Sequence, residues 1–243
     1  MKKRIISLIF ALILCCSFLV GCGDDGPNGK LTYQGTHVFT APELEDYIVQ
    51  DGKTDYRILA PAKFDTHTKM AYVELQTFFK QATGINLVVD FETGEGVSHN
   101  PNLKYISIGQ TKLLESANLN GDDNAENDYD LKTLTKDGAR IITKDKTIYI
   151  FGGKSQGDVN AVYDFLSIMF DYEYYYHNCW EINEGVLNAK LRDFNVTDIP
   201  DFLHRNLGWS AVSNSYNNMA YRMRRSLTDS MVGIGDVANG FGT

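Results

Sequence analysis

Cysteine is scarce in this chain of 243 residues, and three of its four copies, Cys15, Cys16 and Cys22, crowd near the N-terminus, leaving Cys179 alone in the rest. One distal thiol cannot form an internal bridge, so a disulfide framework is excluded and stability must come from an ordinary core. Basic side chains are outnumbered, 23 against 31 acidic, for a formal charge of −8. Nucleic-acid binding rests on a cationic surface, so nucleic acid is not an expected partner. The histidines at 37, 67, 99, 177 and 204 share no ligand spacing, and only His177 has a cysteine close by, at Cys179. No structural zinc site is expected. No serine stands in a nucleophile-elbow pattern, and a Cys179–His177 couple on a strand edge is poorly placed for acyl transfer. Gly153-Lys154-Ser155 ends like a phosphate loop, but Ile148 holds the position of its first glycine. The glycine pair Gly152-Gly153 is better read as letting a strand turn into a helix. No cofactor is expected, and the chain has neither an internal repeat nor a low-complexity tract.

The N-terminus is where the sequence speaks first. Lys2, Lys3 and Arg4 precede an apolar run from Ile5 to Val20, which falls short of the ~20 residues of a spanning helix and has the flanks of a secretory signal. The run closes on Leu19-Val20-Gly21-Cys22, which resembles the lipobox of bacterial lipoproteins. That resemblance implies that residues 1–21 are a signal peptide, that Cys22 is the lipidation site, and that the mature chain is exported. Its first partner would be a membrane, at the cell membrane or the cell surface. Gly23-Asp24-Asp25-Gly26-Pro27-Asn28-Gly29 follows at once and suits a flexible tether. Two or more acyl chains hold a protein durably on a bilayer. Loss of the three N-terminal cations makes the mature chain more acidic still.

Residues 31–54 have no clear period, although Val38-Phe39 and Tyr47-Ile48-Val49 have the character of short strands or a helical turn. Tyr56 to Ala60 reads as a strand stopped by Pro61. Ala71, Leu75, Phe78 and Ala82, widened by Tyr72 and Phe79, predict an amphipathic helix capped at Gly84. Ile85 to Phe91 has the β-branched apolar character of a buried strand, and Tyr105 to Gly109 reads as another. Residues 118–130 are a polar surface loop; Asp122, Asn124 and Glu126 alternate like calcium ligands, but the glycine and distal glutamate of a calcium loop are missing. Gly138 to Lys144 and Thr147 to Phe151 alternate across Asp145-Lys146 and should pair as a hairpin.

Ser155 and Asp158 then stand at capping-box spacing before a helix whose stripe is Val159, Val162, Tyr163, Leu166, Met169 and Phe170. Tyr172 to Tyr176 is a further strand, and the chain is irregular from there to about Leu187. Glu173 and Glu181 flank aromatic residues and are the carboxylates to consider for glycosidic chemistry, which needs a pair at fixed separation; a solvated strand face is the competing role. Aromatics at 12%, 14 of them tyrosine, accord with carbohydrate handling and with a well-packed core alike. The fold class expected is α/β (α+β), a mixed sheet covered by two main helices.

The order of these elements resembles a known accessory domain. The residues that carry it are Ala82-Thr83-Gly84, Ile106-Ser107-Ile108-Gly109, Asp137-Gly138 before the hairpin, Gly152-Gly153, and Ala161-Val162-Tyr163-Asp164-Phe165-Leu166 before an aromatic strand. It is similar to the non-catalytic N-terminal domain that precedes the barrel in α-glucuronidases and family 20 β-N-acetylhexosaminidases. Asp198-Ile199-Pro200-Asp201-Phe202-Leu203-His204-Arg205 resembles the D-x-P-x-F-x-x-R junction by which hexosaminidases enter their first barrel strand. In that family the arginine binds sugar hydroxyls, a role that falls on Arg205 here, and carbohydrate becomes an expected partner. A guanidinium fork suits two adjacent hydroxyls. The family continues with glycine and Asp-x-x-Arg-His, whereas Asn206-Leu207-Gly208-Trp209-Ser210 follows here.

The implied organisation is a signal peptide over 1–21, a tether and approach segment over 22–54, an α/β accessory domain over 55–197, and a junction with the start of a truncated (β/α)8-type barrel over 198–243. Such a barrel takes ~250 residues and draws its catalytic groups from several strands, so the chain as it stands is expected to be inactive alone. The leading expectation is the N-terminal portion of an anchored glycosidase-like protein of polysaccharide breakdown. The alternative is a non-enzymatic surface lipoprotein that binds glycans or supports an assembly.

Overall fold

Along the chain run β1 (Glu43–Val49), β2 (Tyr56–Ala60), α1 (Thr66–Thr83), β3 (Val89–Phe91), β4 (Lys104–Ile108), α2 (Lys112–Ser116), β5 (Ala139–Lys144), β6 (Thr147–Gly152), α3 (Ser155–Phe170), β7 (Glu173–Tyr176), β8 (Cys179–Glu181), β9 (Ala189–Arg192) and β10 (Asn195–Asp198). This is a computed structural model that describes residues 41–93, 99–100, 102–119, 134, 138–176 and 179–199. The signal peptide, the Asp122-Asn124-Glu126 loop and the proposed start of a barrel beyond Ile199 lie outside the described residues.

A six-stranded mixed sheet, in the order β10-β5-β6-β4-β2-β3, is the frame. β3, β2, β4 and β6 are parallel neighbours, and β5 and β10 are added antiparallel. The expected mixed sheet is therefore present. Register places β-branched residues in rows across it: Val89, Ile58, Ile106 and Ile148 form one, and Ile108, Ile150, Ile141 and Val196 another. Because strand side chains alternate, these rows share one face, where they pack in the main core with α1 and α3. The other face is also closed. Leu59, Tyr105, Ser107, Tyr149 and Phe151 are buried there, and α2 contributes Leu114 to a second cluster with Leu134, Tyr149 and Phe151. Two-sided burial explains why the central strands read as nearly continuous apolar runs.

The helices start and stop for local reasons. Asp65 caps α1, its Oδ1 accepting from the His67 and Thr68 amides at 2.9 and 3.1 Å. The helix ends where Gly84 turns left-handed at φ 77° and its amide donates to the Lys80 carbonyl, as expected of a glycine at that position. α3 has Lys154 as its N-cap, with no side-chain cap bond from that residue, so Ser155 stands inside the helix rather than at the cap, and Asp158 is engaged elsewhere. Asp171 ends α3 in the left-handed region, φ 51°. The two helices pack side by side, and Tyr163 of α3 donates a 2.7 Å bond to the buried Glu74 of α1. A buried carboxylate with a phenol donor avoids the cost of an unpaired one.

Between β5 and β6 the turn residues Asp145 and Lys146 both have positive φ, 51° and 64°, the geometry that suits a tight hairpin to strand twist. Tyr56 holds that turn by donating to the Lys146 carbonyl at 2.8 Å, and Lys146 pairs with Asp46 at 3.0 Å.

Two readings change, and one left open between strand and helical turn resolves to a strand. The run Ile85–Phe91 is not a buried strand: only Val89–Phe91 pairs with β2, at the sheet edge, with Val88 and Phe91 exposed. Its apolar character is used elsewhere, since Leu87 is buried and Ile85 packs against the core from outside the ladder. The quiet stretch around Tyr47-Ile48-Val49 is β1, bonded antiparallel to β9 although some 140 residues separate them. The stretch after Tyr176, read as irregular, contains β8, which pairs with β7.

Leu166 is fully buried on α3 and belongs to the main core. Leu166→Ala should lower stability by about 2–5 kcal/mol, read from urea denaturation; an unchanged midpoint would mean that this face of α3 does not meet the sheet and α1.

Candidate functional site

The C-terminal ends of the parallel strands are where an open α/β sheet gathers loops and helix N-termini. Here β4 runs out at Ile108-Gly109, β6 at Gly152-Gly153, and the first turns of α1 and α3 stand over them. Asp158, in the first turn of α3, joins them. Its Oδ1 accepts the Gly152 amide at 2.9 Å, and its Oδ2 accepts the Thr68 hydroxyl of α1 at 2.9 Å. A Cβ on Gly109 would lie 2.8 Å from Oδ2, so β4 approaches the carboxyl as only glycine permits. The strand end and the helix are equally close: a Cβ on Gly152 would stand 2.3 Å from the Gly157 Cα. Gly152 thus serves close strand-to-helix packing. The Gly152 amide, which in a phosphate loop would face an anion, already holds an internal carboxylate.

Burial pushes the Asp158 carboxyl up to about 7; the Gly152 and Thr68 bonds pull it down, Asp65 raises it and His67 lowers it. The folded protein therefore binds this proton more tightly than the unfolded chain, whose aspartate titrates near 3.9. Stability from the neutral form is full below about pH 4 and is lost as pH rises towards 7, with a total on the order of 4 kcal/mol.

A second acidic feature sits on the β7–β8 ribbon, where Glu173 and Glu181 are register partners. The structure brings these two sequence candidates together. The Tyr175 hydroxyl is 3.1 Å from a carboxylate oxygen of each, and Tyr175 is 42% exposed. Hydrogen bonding to Glu181, then desolvation, then bonding to Glu173 lift its phenol to about 12. The opposite face of the ribbon is pinned: Trp180 donates to Gln81 of α1 at 3.2 Å and packs edge-on against Phe78. The carboxylates therefore stand exposed to solvent on a braced ribbon.

An open polar groove of about 490 Å³ lies between β1, the 50–53 turn and the start of β4, lined by Asp46, Tyr47, Asp51, Thr54, Asp55 and Lys104 among others. Lys104 sits 5.6 Å from the centre of the Tyr56 ring and 4.0 Å from Asp55. Its acid-rich walls favour neutral or cationic ligands over anionic ones.

Cys22 and Arg205, the two site residues read from the sequence, lie outside the described residues, as do His37, His177 and His204. Cys179 is a free, exposed thiol. Among the described residues no group of three or more His, Cys, Asp or Glu is arranged to hold a metal ion, and no helix is long and apolar enough to cross a membrane. The spacing to Ser155 presents Asp158 as a capping residue. The signal for its true place is that it shares an α3 face with Ala161 and Phe165, both wholly buried, so the carboxyl had to point at the sheet.

No protein-family model and no curated protein sequence matches the chain. Solved structures do resemble it in chain path. CpGH84D has a TM-score of 0.43 at 12% identity over 69% of this chain and 24% of its own. The GH20 β-N-acetylhexosaminidase from Streptomyces coelicolor A3(2) gives 0.40 at 12% over 68% and 26%. Flavobacterium johnsoniae chitobiase gives 0.36 at 13% over 69% and 21%. The chain thus spans about a quarter of the length of these proteins.

Asp158→Asn keeps the shape of the buried group and removes its charge. Its unfolding free energy should fall less steeply between pH 4 and 7 than that of wild type, the remaining decline coming from groups such as Asp164, and an equally steep decline in the two proteins would refute the buried, proton-binding carboxyl.

Proposed function

We propose that this chain is the N-terminal portion of an exported, lipid-anchored, glycoside-hydrolase-like protein of polysaccharide breakdown, with an α/β unit that is itself non-catalytic. The observation that carries the reading is positional. β10 ends at Asp198, and Asp198 is the first residue of the Asp198-Ile199-Pro200-Asp201-Phe202-Leu203-His204-Arg205 junction. A domain that hands the chain on to a barrel has to finish its own sheet at such a point. In this reading residues 1–21 are the signal, Cys22 carries the lipid, the lead-in gives way at Glu43 to the accessory unit, which begins with β1 and closes with β10, and 198–243 begin the barrel.

Arg205 in this reading reaches the sugar. Pro200 cannot donate to a sheet ladder, and in a strand beyond it Leu203 and Arg205 would share one face. The non-catalytic role of the α/β unit is supported by the setting of Glu173 and Glu181, since a carboxylate pair in open solvent lacks the water exclusion that strengthens charge stabilisation.

Two arms test this. Cell fractionation should find wild type with the membranes and Cys22→Ala unprocessed or released; normal membrane retention of the variant would remove the anchor. Calorimetry with oligosaccharides on the whole protein should find Arg205→Lys weaker by on the order of tenfold, the worth of a lost charge-assisted bond. Equal affinity would return Arg205 to bracing the junction.

A further inference from the structure

The open groove beside β1 lies at the amino ends of the parallel strands. Its floor forms where β2 and β4 begin, with Tyr56 and Lys104 as register partners. The chain leaves the sheet at the other end, since Asp198 pairs with Ala139, and Ala139 with Gly152, the last residue of β6. The groove and the junction after Asp198 are therefore at opposite ends of the sheet.

The walls of the groove are preformed. Gln50 and Lys53 exchange backbone bonds of 2.9 and 3.0 Å around Asp51 and Gly52, both of which have positive φ. The turn is also tied down from outside: the Asp51 amide donates to the Asn188 Oδ1 at 2.9 Å, and the Gly52 amide to the Leu187 carbonyl at 2.9 Å. On its β2 side the Thr54 hydroxyl donates to the Ile48 carbonyl at 2.6 Å and accepts the Tyr56 amide at 3.0 Å. A site held in this way binds without first having to order its own backbone. The rim side chains are by contrast unengaged. Among the described residues those of Glu45, Asp51 and Lys53 hold no hydrogen bond or ion pair.

The lining decides the ligand. The volume of about 490 Å³ falls in the ~300–1,000 Å³ range of small-molecule sites, but those are mainly apolar and this one is largely polar. Glu45, Asp46, Asp51 and Asp55 supply acceptors, and Lys53 and Lys104 supply donors. Donors and acceptors interleaved in one groove match a ligand whose own groups do both, as hydroxyls do. Four carboxylates against two ammoniums repel an anionic chain, and the two ammoniums disfavour a polycation. Tyr47 adds an aromatic surface for the apolar face of a pyranose ring.

On the reading that the whole protein works on a polysaccharide, we propose that this groove is a second, non-catalytic contact that holds a neutral oligosaccharide segment. Glu45 and Asp51 accept from its hydroxyls and Lys53 donates to them. The α/β unit then grips the polymer at one end of its sheet while the chain continues from the other.

The test is amide NMR of the whole chain, titrated with the neutral tetrasaccharides of N-acetylglucosamine, xylose and glucose, and with tetragalacturonate as the anionic counterpart. At least one neutral probe should shift the amides of residues 50–54 and leave the mid-sheet amide of Ile150 in place, with the uronate about tenfold weaker at this site. The double variant Glu45→Gln, Asp51→Asn keeps side-chain size, and asparagine tolerates the positive φ at 51. It should bind about tenfold more weakly, as lost charge-assisted bonds imply. Should it fail to fold, Lys53→Gln is read in the same way. Arg205→Lys should leave the groove shifts unchanged, so a failure at Arg205 and a failure at the groove are read apart. No groove shift with any neutral probe, equal binding of the uronate, or undiminished affinity in the groove variant would overturn the proposal, and Arg205-dependent binding elsewhere would then survive it.

Discussion

A carboxyl group removed from water has to find its hydrogen bonds inside the protein, and Asp158 finds them on two separate elements. The Gly152 amide belongs to the end of β6 and the Thr68 hydroxyl to the first turn of α1, while Gly109 brings β4 up against the same oxygen. Two adjacent parallel strands and both main helices are thus indexed to one side chain. The burial raises the cost of leaving any of these bonds unmade, so the arrangement at this edge has little freedom to slide. Close packing of Gly152 on Gly157 then sets how deeply α3 can sit on the sheet.

Once the edge is fixed, the rest is ordinary packing. α1 and α3 lie side by side over the isoleucine rows, joined by the Tyr163–Glu74 bond and by the aromatic contacts Phe79–Phe170 and Phe78–Tyr172. The reverse face of the sheet is closed by α2, whose N-terminus is doubly capped: Thr111 accepts the Leu114 amide, and the buried Glu92 accepts those of Lys112 and Leu113. The β1–β9 ribbon brings Ile48, Val49 and Leu191 into the main core, so residues that precede β2 by sequence belong to the same fold.

Much of this was legible in the sequence where periodicity is strong. The stripe of α1, the stripe of α3 and the alternation across Asp145-Lys146 each report a local rule that the fold obeys. The unread parts depend on distant partners. β10, Asn195-Val196-Thr197-Asp198, has one apolar residue and becomes a strand because β5 offers it a ladder; β1 and β9 need each other. Ile85–Phe91 misled because apolar β-branched residues serve a core equally well from irregular chain. Asp158 misled because spacing to Ser155 is visible along the chain, whereas Thr68 and Gly152 are neighbours only in space. Glu173 and Glu181 could be proposed as a pair, but their openness to water could be seen only in three dimensions.

The functional reading looks outward from this framework, along the chain past Asp198. It presupposes an α/β unit whose edge is held firmly by one buried carboxyl. Native-state amide hydrogen exchange of wild type and Asp158→Ala tests that premise most directly. The account predicts that the Gly152 amide is among the slowest to exchange in wild type and that the substitution accelerates it far more than the mid-sheet amide of Ile150. Equal acceleration at the two sites, or a Gly152 amide that already exchanges freely in wild type, would contradict it.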